Sequence, residues 1–466
     1  MEIERKFLLK DAFILRTLCN EKVTIYKSNI TQFYTEITKN SEIRYRKKDD
    51  IYYLTTKIGS GIERDEFEVV VSKNEYNGSK PKRVSSFIEK DRYSFELDGV
   101  THAIDIYSGE LAGLFILEIE FETKEEALNF TLNPLFENAK EVTEDERYKN
   151  KNLSLFGSPS LEFDTKEIFK RVEKSPNLEL NFPSYIDAYD GFRVLFYQIY
   201  LSILHHKKQY LETNDPHNLH QFRVGLRKTR SLLQISKNLY NKEILKTILK
   251  GLKTTAKQTN AQRDFDVFIE YLESVEGSEE VVKSLNFVSQ NQISDIDSFL
   301  NSKETKDFFM DYEAFLNDIN GFYKENSYEM KKFVALCIRS EIIAIEKALF
   351  KLNSESHNDE FHEVRIDLKR LRYLLESFSH MFDISSMESL VKRLKFMQEL
   401  FGNLQDRDVW CDIIDMYDKG SEKEFLLNQK EIISIEMFEI RGEILDKKAK
   451  FIKQIRKISK ILKAYY

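Results

Sequence analysis

A step of 142 residues organises the second half of this chain. His220, Arg223, Arg230, Leu232, Leu233, Lys250, Lys253, Asp264, Asp266 and Val267 recur as His362, Arg365, Arg372, Leu374, Leu375, Lys392, Lys395, Asp406, Asp408 and Val409. At the same step Arg227 becomes Lys369 and Lys228 becomes Arg370, so charge is kept where identity is not. One constant offset over such a length marks a tandem duplication, and it restricts the fold to one in which a single unit occurs twice. That unit is helical. From about residue 184 proline is nearly absent, and apolar residues recur with the helical period, as Leu245, Leu249, Leu252 and Ala256 do. Lys246, Lys250, Lys253 and Lys257 follow the same spacing one step round. We expect an all-α domain over 184–466, made of duplicated helical bundles at about 190–330 and 331–466.

The first 157 residues obey a different period. Glu2, Glu4 and Lys6 alternate with Ile3 and Phe7, and Arg44 and Arg46 alternate with Ile43 and Tyr45. Strands are expected at 42–48, 51–58, 64–71, 88–97, 101–107 and 115–122, with a Gly59-Ser60-Gly61 hairpin turn and short helices at 11–18 and 124–132. Pro159, Pro176 and Pro183 interrupt both patterns and bracket a charged helix-like piece at 165–174, so 158–183 is expected to be the linker. At 466 residues the chain is too long for one ordinary core. An α+β two-domain protein follows, β first and α second.

Composition narrows the function classes. A formal charge of −7 makes the whole molecule a poor general nucleic-acid binder, so any polyanion site must be a local basic patch. Three scattered cysteines, Cys19, Cys337 and Cys411, offer no disulfide framework and fit a reducing compartment. No signal peptide opens the chain and no apolar run approaches the ~18 residues of a membrane span. A cytoplasmic protein is expected.

One face of the β-domain strands collects Glu2, Glu4 and Lys6; Arg44 and Arg46; Lys57; Arg64, Glu66 and Glu68; Lys90 and Arg92; Asp105; Glu118 and Glu120. Alternation alone leaves open whether this face looks out to solvent or into a closed barrel. Balanced signs from nearly every strand suit a metal-bound polyphosphate, with carboxylates for a hard cation and Lys or Arg for the phosphates. The segments EIERK, IRYR, YYLTTK, RDEFE, EKDRY, AIDIY, LEIE and EVTEDERYKN resemble, in order and spacing, the CYTH superfamily of triphosphate tunnel metalloenzymes. That resemblance implies an eight-stranded antiparallel β-tunnel with the charged face inward. It implies Glu2 and Glu4 as ligands of a catalytic Mg²⁺ or Mn²⁺, together with Glu118 or Glu120, and Asp105 as part of the tunnel network or of a second metal site. Lys6, Arg44, Arg46, Lys57, Arg64, Lys90 and Arg92 would clamp an inorganic triphosphate or related substrate, with Glu66 and Glu68 completing the catalytic set. Tyr34 falls near a tunnel position of the family, although a strand tyrosine ordinarily packs. No P-loop, HExxH or GxSxG element occurs, and His217 with His220 lacks the further ligands of a zinc site.

In the helical half, His220, Arg223, Arg227 and Arg230 share one helix face beside apolar Phe222, Leu226 and Leu233. His362, Arg365, Lys369 and Arg372 repeat that face. A single stripe is ordinarily a solvated helix face; a duplicated one can be turned face to face by a pseudo-twofold. HxxRVxxRKxR, HxxRIxxKRLR, RDFDV and DRDVW resemble the duplicated motifs of the CHAD domain. The resemblance implies a polyphosphate-binding surface formed by these stripes with Lys250, Lys253, Lys392 and Lys395, the four aspartates orienting cations from behind. The basic helix at 447–463 also admits a membrane-surface role. The leading expectation is a metal-dependent triphosphatase with a polyphosphate-binding domain. The alternatives are a polyphosphate-localising protein with little turnover and an adenylate cyclase.

Overall fold

The structure, a computed structural model, describes residues 3–20, 22–38, 41–58, 65–159, 163–180, 182–317, 327–382, 387–416 and 423–466. The Gly59-Ser60-Gly61 turn lies outside them. In the N-terminal half the strands are β1 (Ile3–Leu8), β2 (Tyr26–Ile37), β3 (Ser41–Lys48), β4 (Ile51–Ile58), β5 (Asp65–Val71), β6 (Ile88–Leu97), β7 (Val100–Ser108), β8 (Phe115–Phe121) and β9 (Lys140–Glu141). They form one antiparallel sheet in the order β5-β4-β3-β2-β6-β7-β8-β1-β9. Among the described residues the sheet therefore has nine strands where eight were expected. The extra one is the two-residue β9, which pairs its two residues with Phe7 and Leu8 of β1. The twelve-residue β2 was not anticipated. Between β6 and β7, Asp98 and Gly99 both take positive φ (53° and 77°), which is what a two-residue hairpin turn matching strand twist requires.

Short helices α1 (Ile14–Asn20), α2 (Lys73–Ser79) and α3 (Lys124–Asn129) cover the apolar side of the sheet. Phe7, Phe95, Ile104, Leu117 and Ile119 pack there with Leu18 of α1 and Phe136. Phe33 and Tyr45 pack with Tyr76 of α2. This answers the question alternation left open. The outside of the sheet is the greasy side, sealed by helices, so the charged side must turn inward.

α4 (Asn150–Phe156) and α5 (Thr165–Lys174) lead into the helical half. The segment expected as linker thus carries α5, which packs on α6 (Ala188–Thr213) by stacking Phe169 on Tyr197 at 4.0 Å. Then come α7 (Pro216–Ile235), α8 (Lys242–Gln258), α9 (Asn260–Leu272), α10 (Glu279–Asn301), α11 (Lys303–Asn317), α12 (Met330–Lys351), α13 (Asn358–Phe378), α14 (Met387–Met416) and α15 (Lys423–Leu462). The 142-residue step carries the first residue of α6 onto that of α12, and of α7 onto that of α13. Where the copies diverge, the first breaks between α8 and α9 at buried Thr259, whose hydroxyl bonds back to the Ala256 carbonyl at 3.0 Å. Such back-bonding competes with the helical ladder. Its mate Phe401 lies inside the unbroken α14. Among the described residues no helix is long and apolar enough to cross a membrane.

Candidate functional site

Cross-strand register puts the predicted charges on one surface. Glu4 stands opposite Glu120 and Lys6 opposite Glu118. Arg92 stands opposite Asp105, Lys57 opposite both Glu42 and Glu66, and Arg44 opposite Tyr34 and Thr55. Glu2 and Arg64 lie outside the described residues. The sheet curls so that both ends of the strand order, Glu4 and Lys6 from β1 and Glu66 and Glu68 from β5, line one cavity of about 740 Å³. Arg44, Arg46 and Lys57 line it as well.

The cavity cations are already held in place by neighbouring side chains, mostly carboxylates. Lys57 bridges to Glu66 at 2.9 Å. Arg44, 8 % exposed, donates to Thr55 Oγ1 at 3.0 Å and approaches Glu68 at 3.6 Å. Thr55 in turn donates to Glu68 at 2.8 Å. Arg46 donates to Gln32 at 3.2 Å; burial first, then Arg44, draws its guanidinium below the ordinary arginine range. Cationic crowding of this kind is relieved by an anion in the lumen.

Lys90, Arg92, Asp105 and Glu118 form a buried network in the β6–β7–β8 wall and do not line the cavity. Asp105, wholly buried, accepts from Lys90 and from Arg92, the latter at 2.7 Å through both of its oxygens. Glu118 accepts from Lys6 at 2.7 Å and from Arg92. Burial alone would push Glu118 up, yet Lys6, Arg92 and Lys90 together hold it well below the carboxylate range. Burial alone would pull Lys6 down, yet Glu118 and Glu4 carry it above the ordinary lysine value. Asp105 and Glu118 thus each serve as the counter-ion of two cations, which sets both apart from the more open Glu4 and Glu120 of the predicted metal set.

A hard divalent cation needs oxygen ligands with room to reach it. Glu4 and Glu120, cross-strand neighbours with Glu4 32 % and Glu120 more exposed, have that chemistry, and Glu4 also meets Lys6 at 3.0 Å. Among the described residues no cluster of three or more carboxylates, histidines or cysteines is preassembled.

Sequence reasoning passed over Lys149 and Lys151, which line the cavity from the N-cap and first turn of α4. Lys151 bridges to Glu42 at 2.8 Å. The EVTEDERYKN segment contains Lys149 and ends one residue before Lys151, but outside a regular strand no alternation marks either lysine as inward.

In the helical half α7 packs on α13, and α9 on α14. The predicted stripes meet at the first of these crossings. Arg227 lies near Arg365 and Lys369, Arg230 near Arg370, and, at the symmetry-related place, Lys228 near Arg372. Burial, then Arg365, Arg227 and Arg372, pulls the Lys369 amine down to about 6. Burial and the neighbouring Arg227 draw Arg223 down to about 10, and burial with Arg263 draws His220 down to about 4. Asp264 and Asp406, one from each copy, sit among these cations and near each other. Arg223 is buried and donates to Asn260 Oδ1 at 3.0 Å. His362 bonds to Gln405. Lys250, Lys253, Lys392 and Lys395 stand instead on exposed faces of α8 and α14, outside this half-buried seam.

Known proteins resemble the N-terminal region and the C-terminal part of the chain separately. The CHAD domain family matches residues 198–415. An inorganic triphosphatase of Nitrosomonas europaea is 35 % identical over 156 residues, 33 % of this chain and 97 % of that protein. An inorganic triphosphatase of Acetivibrio thermocellus is 35 % identical over 164 residues, 33 % of this chain and 92 % of its own length. Among solved structures, the CHAD domain from the plant Ricinus communis is 19 % identical, covers 60 % of this chain and 94 % of its own, and superposes with a TM-score of 0.46.

Proposed function

We propose, from the premise that the chain belongs to the family of CYTH-type inorganic triphosphatases and carries a CHAD domain behind its catalytic half, that the β-domain cavity hydrolyses inorganic triphosphate and that the helical half binds polyphosphate. The observation that carries the first part is the turning of one sheet face, Glu4, Lys6, Arg44, Arg46, Lys57, Glu66 and Glu68, into a single cavity sealed from outside by apolar packing. The family implies a divalent cation, and we take it to be Mg²⁺ or Mn²⁺ because the donors are hard carboxylate oxygens. Glu4 and Glu120, joined by Glu2 and bordered by Glu118, would hold it, and when bound it supplies charge neutralisation and polarisation at the phosphoryl oxygens.

The chain's own side chains do the remaining work. Lys6, Arg44, Arg46 and Lys57 surround the phosphoryl oxygens and absorb charge that grows as the bridging bond breaks. Glu66 and Glu68 hold Lys57 and Arg44 in place before substrate arrives, and either carboxylate is positioned to orient the attacking water. Lys90 and Arg92, paired with Asp105 and Glu118, make the adjoining wall a charge-balanced buried network that supports Lys6 through Glu118. Lys149 and Lys151 add cations at the rim.

In the helical half the reading rests on the seam where Arg227, Arg365, Lys369 and Arg372 converge from both copies. Desolvated cations crowded by like charges are stabilised by a linear polyanion that crosses the pseudo-twofold. The deciding assay incubates the protein with triphosphate, ATP, thiamine triphosphate or long-chain polyphosphate, each with Mg²⁺ or Mn²⁺, and follows phosphate and cyclic AMP. Phosphate release from triphosphate supports the reading; cyclic AMP from ATP, or binding without turnover, replaces it with one of the alternatives.

A further inference from the structure

The two halves of the molecule share a core. Tyr34, Ile37 and Val84 of the β-domain, with Leu155 and Phe156 of α4, are buried in the same hydrophobic cluster as the helices. Among its members is Tyr465, beyond the end of α15 and 1 % exposed. Its ring meets Phe156 and Phe382 edge-on at 5.9 and 5.1 Å, with the Lys331 ammonium 5.5 Å from its centroid. Its hydroxyl donates to the Val84 carbonyl at 3.2 Å.

Val84 leads back to the cavity. The Val84 amide donates to the Tyr34 carbonyl at 2.9 Å, and the Tyr34 amide donates to the hydroxyl of fully buried Ser85 at 3.3 Å. Both backbone groups of Tyr34 are therefore held by the segment that Tyr465 grips. This happens at a β-bulge, where the β2–β3 register shifts between Tyr34 and Glu36 and the ladder cannot hold the backbone by itself. The Tyr34 side chain lines the cavity beside Arg44 and Arg46.

We infer that Tyr465 is a positioning residue for the triphosphate cavity, acting through Val84 and Ser85 on Tyr34, so that the last turn of the helical half sets the geometry of one cavity wall. The inference rests on the cavity being the triphosphate site. It gives the helical half a second role, as a buttress of the catalytic half.

The test uses the full chain. In Tyr465→Phe, amide exchange of residues 33–37 and 84–87 should quicken roughly three- to tenfold, the scale of one lost buried hydrogen bond. KM for triphosphate should rise by a similar factor, with kcat within about twofold, because Tyr34 acts where substrate binds. Tyr34→Phe combined with Tyr465→Phe should change KM less than the product of the single effects, since both act through one wall. Ser85→Ala cuts the other leg of the relay and stands in if Tyr465→Phe fails to fold. Trp410→Phe, in a separate core, should lower the melting temperature while leaving KM and exchange at 33–37 alone. Parental exchange and KM in Tyr465→Phe, or equal effects of Trp410→Phe, overturn the inference. A parent that neither binds nor hydrolyses triphosphate overturns the cavity reading, and the exchange measurement still decides the relay.

Discussion

Glu4 and Asp105 are both carboxylates on the same sheet face, yet their surroundings assign them opposite work. Glu4 is open to the lumen, and Glu4→Ala should reduce metal-dependent triphosphate hydrolysis by about 10²-fold or more while the melting temperature stays near the parental value. Asp105 is sealed between Lys90 and Arg92, so Asp105→Asn leaves buried cations without their anion. It should cost about 3–5 kcal/mol in chemical denaturation, whether or not substrate is present. Similar losses of stability in both variants would erase the distinction. Lys369 offers a third residue-scale test. Its amine, pulled down to about 6, is largely neutral above that pH, and a bound polyanion raises its pKa again. The complex therefore holds more protons than the free protein, and affinity must rise as pH falls toward about 6 and then level off. Calorimetry near pH 8 in buffers of different ionisation enthalpy should register proton uptake on polyphosphate binding. Lys369→Arg, which stays charged, should remove it. His220, drawn to about 4, contributes only in a more acidic window.

Among the elements, the crossing of α7 and α13 carries the binding argument. Replacing Arg227, Arg365, Lys369 and Arg372 by Gln should weaken polyphosphate binding by about 100-fold or more at moderate salt and flatten its salt dependence, as read by titration of a labelled polyphosphate. Removing exposed Lys250, Lys253, Lys392 and Lys395 should do much less, because charges already in water interact weakly at a distance. The contact of α8 with α11 shows what the duplication did not preserve. A Cβ on Gly251 would sit 2.1 Å from the Phe308 ring, so Gly251→Ala should destabilise by about 1–3 kcal/mol, while its mate in the second copy is Arg393. A parental melting temperature in that variant would contradict the packing described. Element legibility followed period strength. β4 and β6 were located to the residue, each having one end fixed by a two-residue turn, 49–50 before β4 and 98–99 after β6. β2 went unread because its run Tyr26–Ile37 mixes polar and apolar residues on both faces and carries a bulge.

For the whole molecule, the buried junction makes the two halves more than beads on a string. Residues 1–157, cut at the proline-bracketed boundary, retain every strand of the sheet and should fold. The cut also bares Tyr34, Val84 and Phe156, and the severed domain should melt about 5 °C or more below its transition in the intact chain. An unchanged transition would mean that the junction contributes nothing to the β-domain.

By itself the sequence determined the order of the domains, the duplication, and which residues share a strand face or a helix stripe. These follow from local periods of two and 3.6 residues and from a constant offset, which need no knowledge of what lies opposite. Only the tertiary structure decided that the charged face turns inward, since that depends on α1, α2 and α3 sealing the other side. It also separated Asp105 from the open carboxylates, drew Lys149 and Lys151 into the cavity, and set Tyr465 against Val84 across 381 residues of chain. Burial and long-range contact are properties of the packed chain, and no local period encodes them.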